Sequence, residues 1–423
     1  MSADFQSTGA PNMANPHVLY VGGEDHDFRI PFMHILREHG FRVSAAGTGD
    51  PAPFQKAGIE FHSFQFQRFV NPFADLTAIR SLRDMLNRIR PDIAQTCDTK
   101  PGLLVPLAAR GAPMTQVVRT VNGRGWLYSS RSPLALTLRP IYRGLHRRAS
   151  RYVSATVFEI HDDQAFFDSH GMTGKQGGRV IPGAGLDVDG FERALAEAPP
   201  PEQLRQELGI GPGEVVMTVT RMTRQKGIPA LLKAAALVHK VRPTVRFVLV
   251  GPRESEGPLS VSQEEIDRHA PYVLATGSRP DVAALLRIAD VFAFPSEYRE
   301  GVPRVLCEAA LAGVPTVTTG MPGCREVVMD GITGLVVPPG APELMAQKIL
   351  ALLEDRQSAR AMAERAAERV RQEFSLRAIV AGHASLYREL LQWPTAAGQL
   401  NRPPVRGVAR PGEAPALRSG VGD

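Results

Sequence analysis

The sequence predicts an α/β protein built from two consecutive parallel-sheet domains that face a cleft. Three observations carry that prediction. Short apolar runs alternate with longer amphipathic stretches along most of the chain, the pattern of strand–helix–strand units with buried parallel strands. The alternation pauses in the Pro- and Ala-rich residues 186–213 and then resumes. A chain of 423 residues is long enough for two domains of ordinary size.

Taken in order, residues 1–16 read as a flexible leader. His17–Val21 is an apolar strand followed at once by Gly22-Gly23. A helix over 28–39 gathers Ile30, Phe32, Met33, Ile35 and Leu36 on one face and ends at Gly40, before a strand at 41–45. The glycines do not form G-x-G-x-x-G, which argues against a dinucleotide-dependent oxidoreductase. Strands follow near 59–62, 92–95, 116–121 and 152–158, with helices near 75–88, 102–110 and 134–148. Residues 17–185 are therefore expected to form the first domain and 186–213 the linker. The second domain is expected over 214–374, with strands at 214–220, 245–250, 273–276, 291–294, 314–318 and 334–337. Helices are expected at 343–353 and 359–373, and a last one at about 375–393. Residues 394–423 mix Pro, Gly, Ala and Arg without periodicity and read as a disordered tail.

Composition narrows the function. Hydrophobic content of 43% and charged content of 22% are ordinary for a globular protein. Cys97, Cys307 and Cys324 are scattered with no C-x-x-C pair, which gives neither a disulfide framework nor a zinc site and favours a reducing compartment. The N-terminal residues lack the basic and apolar regions of a signal peptide, and no apolar run is long enough to span a bilayer. The expectation is a cytoplasmic protein. The net charge is +6, but its placement matters more. Residues 99–158 contain no acid yet carry Lys100, Arg110, Arg119, Arg124, Arg131, Arg139, Arg143, Arg147, Arg148 and Arg151. Such a stretch suits an anionic membrane surface or a lipid diphosphate. Nucleic acid is not expected, because the stretch lacks the interleaved aromatics of a stacking platform. The helix near 134–151 either lays Leu134, Leu136, Leu138, Ile141, Tyr142 and Leu145 against a bilayer or buries them in the domain; sequence leaves both open.

Two constellations carry chemistry. In the first, Val219-Thr220-Arg221-Met222-Thr223-Arg224-Gln225-Lys226-Gly227, a strand ends and a helix opens. Backbone N–H groups and the helix dipole favour an anion there; Arg221 can grip phosphate oxygens and Lys226 adds a point charge. In the second, a strand at 291–294 leads through Glu297-Tyr298-Arg299-Glu300-Gly301 into a helix in which Pro303 is expected in the first turn. Glu300 and Glu308 would lie on the order of 10 Å apart. That exceeds the roughly 5–9.5 Å between the carboxylates of glycosidases, so they read as grips on two parts of one ligand rather than as an acid/base pair; spacing alone equally allows a surface Glu and a helix Glu paired to an Arg. Asp25-His26-Asp27 and Asp187-Val188-Asp189 are D-x-D triplets, but with Arg221 and Lys226 covering the charge no metal is expected. His26, in the loop after the first strand, is a candidate base. His34, in the first amphipathic helix, reads as structural, and His161 and His170 are the other histidines that could be offered as a base.

Glu300 through Glu308 is an E-x7-E pattern, set within PSEYREGVPRVLCEA and PGCREVVMDGITGLVVP. This wording resembles retaining family 4 glycosyltransferases of the GT-B fold, in particular bacterial members that build lipid-linked oligosaccharides and surface polysaccharides. RPDIAQTCDTKPGLLVPLAAR and RTVNGRGWLYSS resemble the acceptor-side half of the same family. The resemblance implies two Rossmann-like domains around a central cleft, with the last helix crossing back onto the first domain. It implies that Arg221 and Lys226 contact the donor diphosphate, Glu308 the ribose and Glu300 the donor sugar. Gly301 and Val302 would offer N–H groups, Arg279 would lie by the base, and Gly22 and Gly23 would let backbone approach the diphosphate from the other domain. Asn122, Gly123 and Arg124 fall on the acceptor side. The implied activity is metal-independent transfer of a sugar from a nucleoside diphosphate sugar, a UDP-sugar foremost, to a polyprenyl-diphosphate-linked saccharide at the inner face of the plasma membrane. A nucleotide-sugar epimerase of the same architecture, or a non-catalytic nucleotide-sugar-responsive scaffold, are the alternatives.

Overall fold

In a computed structural model of the chain, the structure describes residues 15–23, 27–66, 71–124, 128, 132–183, 185–253 and 259–393. His26, nearly all of the expected leader and the tail 394–423 lie outside the described residues. Two parallel sheets dominate. The first has seven strands in the order β3-β2-β1-β4-β5-β6-β7. They are β1 (His17–Val21), β2 (Arg42–Gly47), β3 (Glu60–Ser63), β4 (Ile93–Thr96), β5 (Gln116–Val121), β6 (Ala155–Phe158) and β7 (Gly178–Val180). The second has six, in the order β10-β9-β8-β11-β12-β13. Its strands are β8 (Val215–Val219), β9 (Arg246–Val250), β10 (Val273–Gly277), β11 (Val291–Phe294), β12 (Thr316–Thr319) and β13 (Leu335–Val337).

The strands are apolar because helices cover both faces of each sheet. Every residue of β1 and of β11 is buried, and buried clusters lie on either side of both sheets. Helix boundaries follow local chemistry: Asn71, Ser132 and Ser375 each cap a helix by accepting the N–H three residues on. In both sheets the strand order reverses once, between β1 and β4 and between β8 and β11. Open parallel sheets bind ligands beyond the carboxyl ends of their strands at such points.

Several elements differ from expectation. Residues 188–196 and 201–207 are helical, and Leu204 and Ile210 enter the core of the second sheet. The helix His161–Ser169 and strand β7 carry no clear apolar period and are absent from the sequence reading. Pro303 does not lie in the first turn: it is the N-cap of the helix Arg304–Leu311, with extended backbone. His34 is exposed on the helix Ile30–Glu38 and so packs no core. The helix Leu376–Leu391 does return to the first domain. Ile379, Val380, Ala384, Leu386 and Tyr387 pack with Val18, Tyr20, Phe32 and Met33. The Tyr387 hydroxyl lies 2.9 Å from that of Tyr20 and donates to Gln95 Oε1 at 2.9 Å. Where the chain crosses between domains, Leu186 and Ser375 form a parallel bridge. The three cysteines are free and buried, and burial pushes the Cys97 and Cys324 thiols up to about 11.

Candidate functional site

The loops after β8 and β11, at the reversal point of the second sheet, form the centre of the site. Thr223 caps a short 3-10 turn over Arg224–Lys226, its hydroxyl accepting the Lys226 N–H at 3.3 Å. Gly227 then adopts φ +70° and opens the helix Ile228–Val241. A side chain at Gly227 would meet the Pro295 carbonyl, so its absence lets the two loops close on each other. The Glu297 N–H adds a bond to the Gln225 carbonyl at 3.0 Å.

Closure brings together residues 74 positions apart. Lys226 Nζ donates to Glu300 Oε2 at 2.7 Å, and Ser296 Oγ donates to Glu300 Oε1 at 3.0 Å. Lys226 is only 8% exposed, and its ammonium also faces the Phe294 and Tyr298 rings at 5.7 and 5.9 Å. Arg221 is exposed on the same loop. Glu308 is half-buried on the helix Arg304–Leu311; burial raises its carboxyl above the usual range, partly offset by Arg304. Arg279 follows the edge strand β10. Its guanidinium is bound to Asp281 at 2.8 and 2.6 Å and to Glu207 at 2.7 Å, bonds that raise its pKa and engage it within its own domain.

The first domain supplies the facing wall. The Gly22 N–H is bound to the Ala46 carbonyl at 3.0 Å and the Gly23 N–H to Asp98 Oδ2 at 2.7 Å, so neither glycine offers a free donor in this state. Asn122 donates to the Cys97 carbonyl at 3.1 Å. Gly123 has φ +139°. Arg124 is tied to Asp162 and Asp163 and lies over the Phe166 ring at 4.1 Å.

Sequence reasoning missed what joins the two walls. Glu159, just after β6, accepts the Val302 N–H and lies against Gly301, where a side chain would meet its carboxylate. Asp162 pairs with Arg299. The His161 N–H and Nδ1 bind Glu326 at 2.8 and 3.0 Å, and this contact raises the imidazole pKa. Burial pushes the Glu159 carboxyl up to about 7; Arg29 opposes that rise and Asp163 adds to it. The Val302 N–H expected to meet donor is thus held by Glu159. A run of Glu, His, Asp and Asp after an apolar strand was the available signal. Between the walls lies a space of about 520 Å³, lined by Tyr128, Leu136 and Arg139 on one side and by Gln225, Tyr298 and Arg299 among others on the opposite side. Its volume is in the range of small-molecule sites, roughly 300–1,000 Å³.

Two parallel α/β domains, a cleft between their strand ends and a returning C-terminal helix make up the GT-B architecture. Comparison with known proteins agrees. The family profile described as glycosyl transferases group 1 matches residues 201–369, and the glycosyl transferase 4-like domain matches 32–161. A glycosyltransferase from Rickettsia africae superposes with a TM-score of 0.73 at 18% identity, covering 90% of this chain and 100% of that one. HepE from Anabaena, solved with UDP, gives 0.69 at 20%, covering 88% and 100%. Among curated relatives is the N,N'-diacetylbacillosaminyl-diphospho-undecaprenol alpha-1,3-N-acetylgalactosaminyltransferase of Campylobacter jejuni. It is 25% identical over 352 residues, 82% of this chain and 92% of the relative. The UDP-Gal:alpha-D-GlcNAc-diphosphoundecaprenol alpha-1,3-galactosyltransferase of Escherichia coli is 26% identical over 64% of this chain and 68% of its own length. The chain belongs to the family 4 glycosyltransferases of the GT-B fold.

Proposed function

We propose that the protein is a retaining, metal-independent glycosyltransferase that moves one hexose or N-acetylhexosamine unit from a UDP-sugar to a polyprenyl-diphosphate-linked saccharide in surface polysaccharide synthesis. The observation that carries the site assignment is the Lys226–Glu300 pair at the reversal point of the second sheet, where an open α/β sheet takes its ligand. The donor diphosphate lies against Arg221, Lys226 and the start of the helix Ile228–Val241, its sugar by Glu300 and Gly301, its ribose on Glu308. An arriving diphosphate gives Lys226 a second anionic partner. As the bond from the sugar to the phosphate oxygen breaks, charge grows on that oxygen, and fixed cations stabilise that change more than the ground state. The leaving phosphate oxygen takes the proton of the acceptor hydroxyl entering on the same face, so the step requires neither an enzymic base nor a metal. The E. coli relative is named for a UDP-Gal donor and an alpha linkage, and both named relatives use a diphospho-undecaprenol acceptor, which supports this choice of substrates.

The first domain also suits a membrane surface. No described helix is long and apolar enough to cross a membrane. On the helix Pro133–Ser150 the buried face is Ala135, His146, Ala149 and Ser150. Leu134 is 61% and Ile141 60% exposed, and Leu145, Arg147 and Arg148 are exposed with them. An outward apolar strip beside arginines fits a peripheral position on anionic lipid, at the cytoplasmic face where nucleotide sugars are found. The test is release of nucleoside diphosphate from a UDP-sugar with and without lipid-linked acceptor, with the anomeric configuration of the product read by NMR. Acceptor-dependent release with retained configuration is expected. An altered nucleotide sugar formed without acceptor would establish the epimerase instead, and binding without turnover the scaffold.

A further inference from the structure

A second cavity, of about 210 Å³, lies within the first domain and is lined by Asp98, Thr99, Arg119, Asn122, Tyr142 and His146 among others. Below the roughly 300–1,000 Å³ of sites that enclose a whole drug-sized ligand, it has room for one unit of a larger molecule. Its floor is unusual. Arg119, on β5, is 1% exposed, and its partners are all neutral: His146 Nδ1 at 3.2 Å, Ser150 Oγ at 3.4 Å, Thr156 Oγ1 at 3.2 Å and the Met172 carbonyl. Among the described residues no carboxylate pairs with it. A buried guanidinium without a counter-charge is costly, and burial lowers its pKa to about 10.

His146 sharpens the point. A guanidinium only donates, so Nδ1 must accept. Burial, aided by Arg119, holds the imidazole pKa at about 3, so the ring is neutral and carries its proton on Nε2. Among the described residues neither that Nε2–H nor Arg119 Nε–H has a protein acceptor, and a buried donor left unpaired is costly. A water molecule could accept from them but brings no negative charge. Beneath the cavity therefore lie a buried cation and two N–H donors with no acceptor among the described residues. The rim presents Thr99, Asn122 and the Asp98 carboxylate, which is anchored by the Gly23 N–H and suits hydroxyl groups.

We infer that this cavity is a subsite for an oxyanion-bearing monosaccharide unit of the acceptor, with the phosphate or carboxylate on Arg119 and His146 and the hydroxyls on Asp98, Thr99 and Asn122. The inference rests on the reading of the first domain as the acceptor half, but its test is independent of turnover. The full chain, with its donor cleft saturated by UDP, is titrated calorimetrically with glucose 1-phosphate, glucuronate and glucose. At least one anionic sugar should bind tenfold or more tightly than glucose. Preference for the phosphate points to the lipid-proximal sugar phosphate, and preference for glucuronate to an acidic sugar in the acceptor. In His146→Phe, which keeps a ring against Phe167 but removes one of the two N–H donors, the preference should fall severalfold without vanishing, because Arg119 stays, and UDP affinity should be unchanged. A crystal of the wild-type protein with the preferred sugar should place its oxyanion within hydrogen-bond distance of Arg119. Equal binding of all three sugars, or the oxyanion seated elsewhere, would overturn the inference, while acceptor-dependent turnover, measured separately, would still stand.

Discussion

Glu159→Gln isolates the contact between the residues after β6 and the loop after β11. The carboxyl lies against Gly301 and accepts the Val302 N–H, and glutamine can keep that bond without ionising. Burial raises Glu159 from 4.5 to about 7. Between those values the folded protein holds a proton that the unfolded chain has lost. The stability this contributes is full below about pH 4.5 and is lost as the pH rises through 7. At about 1.4 kcal/mol per pKa unit, the loss between pH 5 and pH 8.5 is roughly 2–3 kcal/mol. Groups that titrate alike in both proteins cancel in the difference. Glu159→Gln should therefore be close to wild type at pH 5 and more stable by roughly 2–3 kcal/mol at pH 8.5. Urea unfolding followed by circular dichroism at several pH values measures this. A stability difference that stays flat with pH would refute the argument that Glu159 is held at this junction against its own ionisation.

Other substitutions separate the parts of the site. Lys226→Ala should lower kcat/KM by roughly 10²–10³, the scale of losing one group that stabilises developing charge, with the second domain still folded by circular dichroism. Glu308→Ala should weaken UDP binding about tenfold or more in calorimetry, while binding of inorganic diphosphate changes little, the pattern expected of the proposed ribose contact. Replacing Arg147 and Arg148 by Ser should reduce partitioning onto phosphatidylserine vesicles roughly 30-fold, at about 1 kcal/mol per basic residue near the surface. Uncharged vesicles should show little difference. Tyr387→Phe removes the bond to Gln95 and should cost about 1–3 kcal/mol, the penalty of an unsatisfied buried group, visible as a lower Tm.

The parallel strands were legible because burial on both faces makes them uninterrupted apolar runs, as in His17–Val21 and Val291–Phe294. Arg221, Lys226, Glu300 and Glu308 stood out from local wording; the loops that carry the first three flank one reversal point, and Glu308 lies on the helix that follows the second loop. The Lys226–Glu300 bond itself was not legible, because it depends on the glycine at 227 letting one loop close on Pro295. The contacts of Glu159, Asp162 and His161 were illegible for a similar reason. Pairing across 165 positions, as between His161 and Glu326, leaves no trace in periodicity. Residues 133–150 show a further limit: their period defined an apolar strip, but only the packing of Ala135, His146 and Ala149 shows that Leu134, Ile141 and Leu145 face outward while Tyr142 turns to the cavity beside His146. The buried cation at Arg119 was visible only as one arginine among many in an acid-free stretch.

Mass spectrometry of a synthetic undecaprenyl-diphosphate-linked saccharide, after incubation of the full chain with a panel of UDP- and GDP-sugars, tests the proposed activity most directly. The expected result is a mass increase of a single hexose or N-acetylhexosamine unit with one of the UDP-sugars, abolished or greatly slowed by Lys226→Ala. An unchanged acceptor across the whole panel, with the nucleotide sugars bound or isomerised instead, would contradict the assignment.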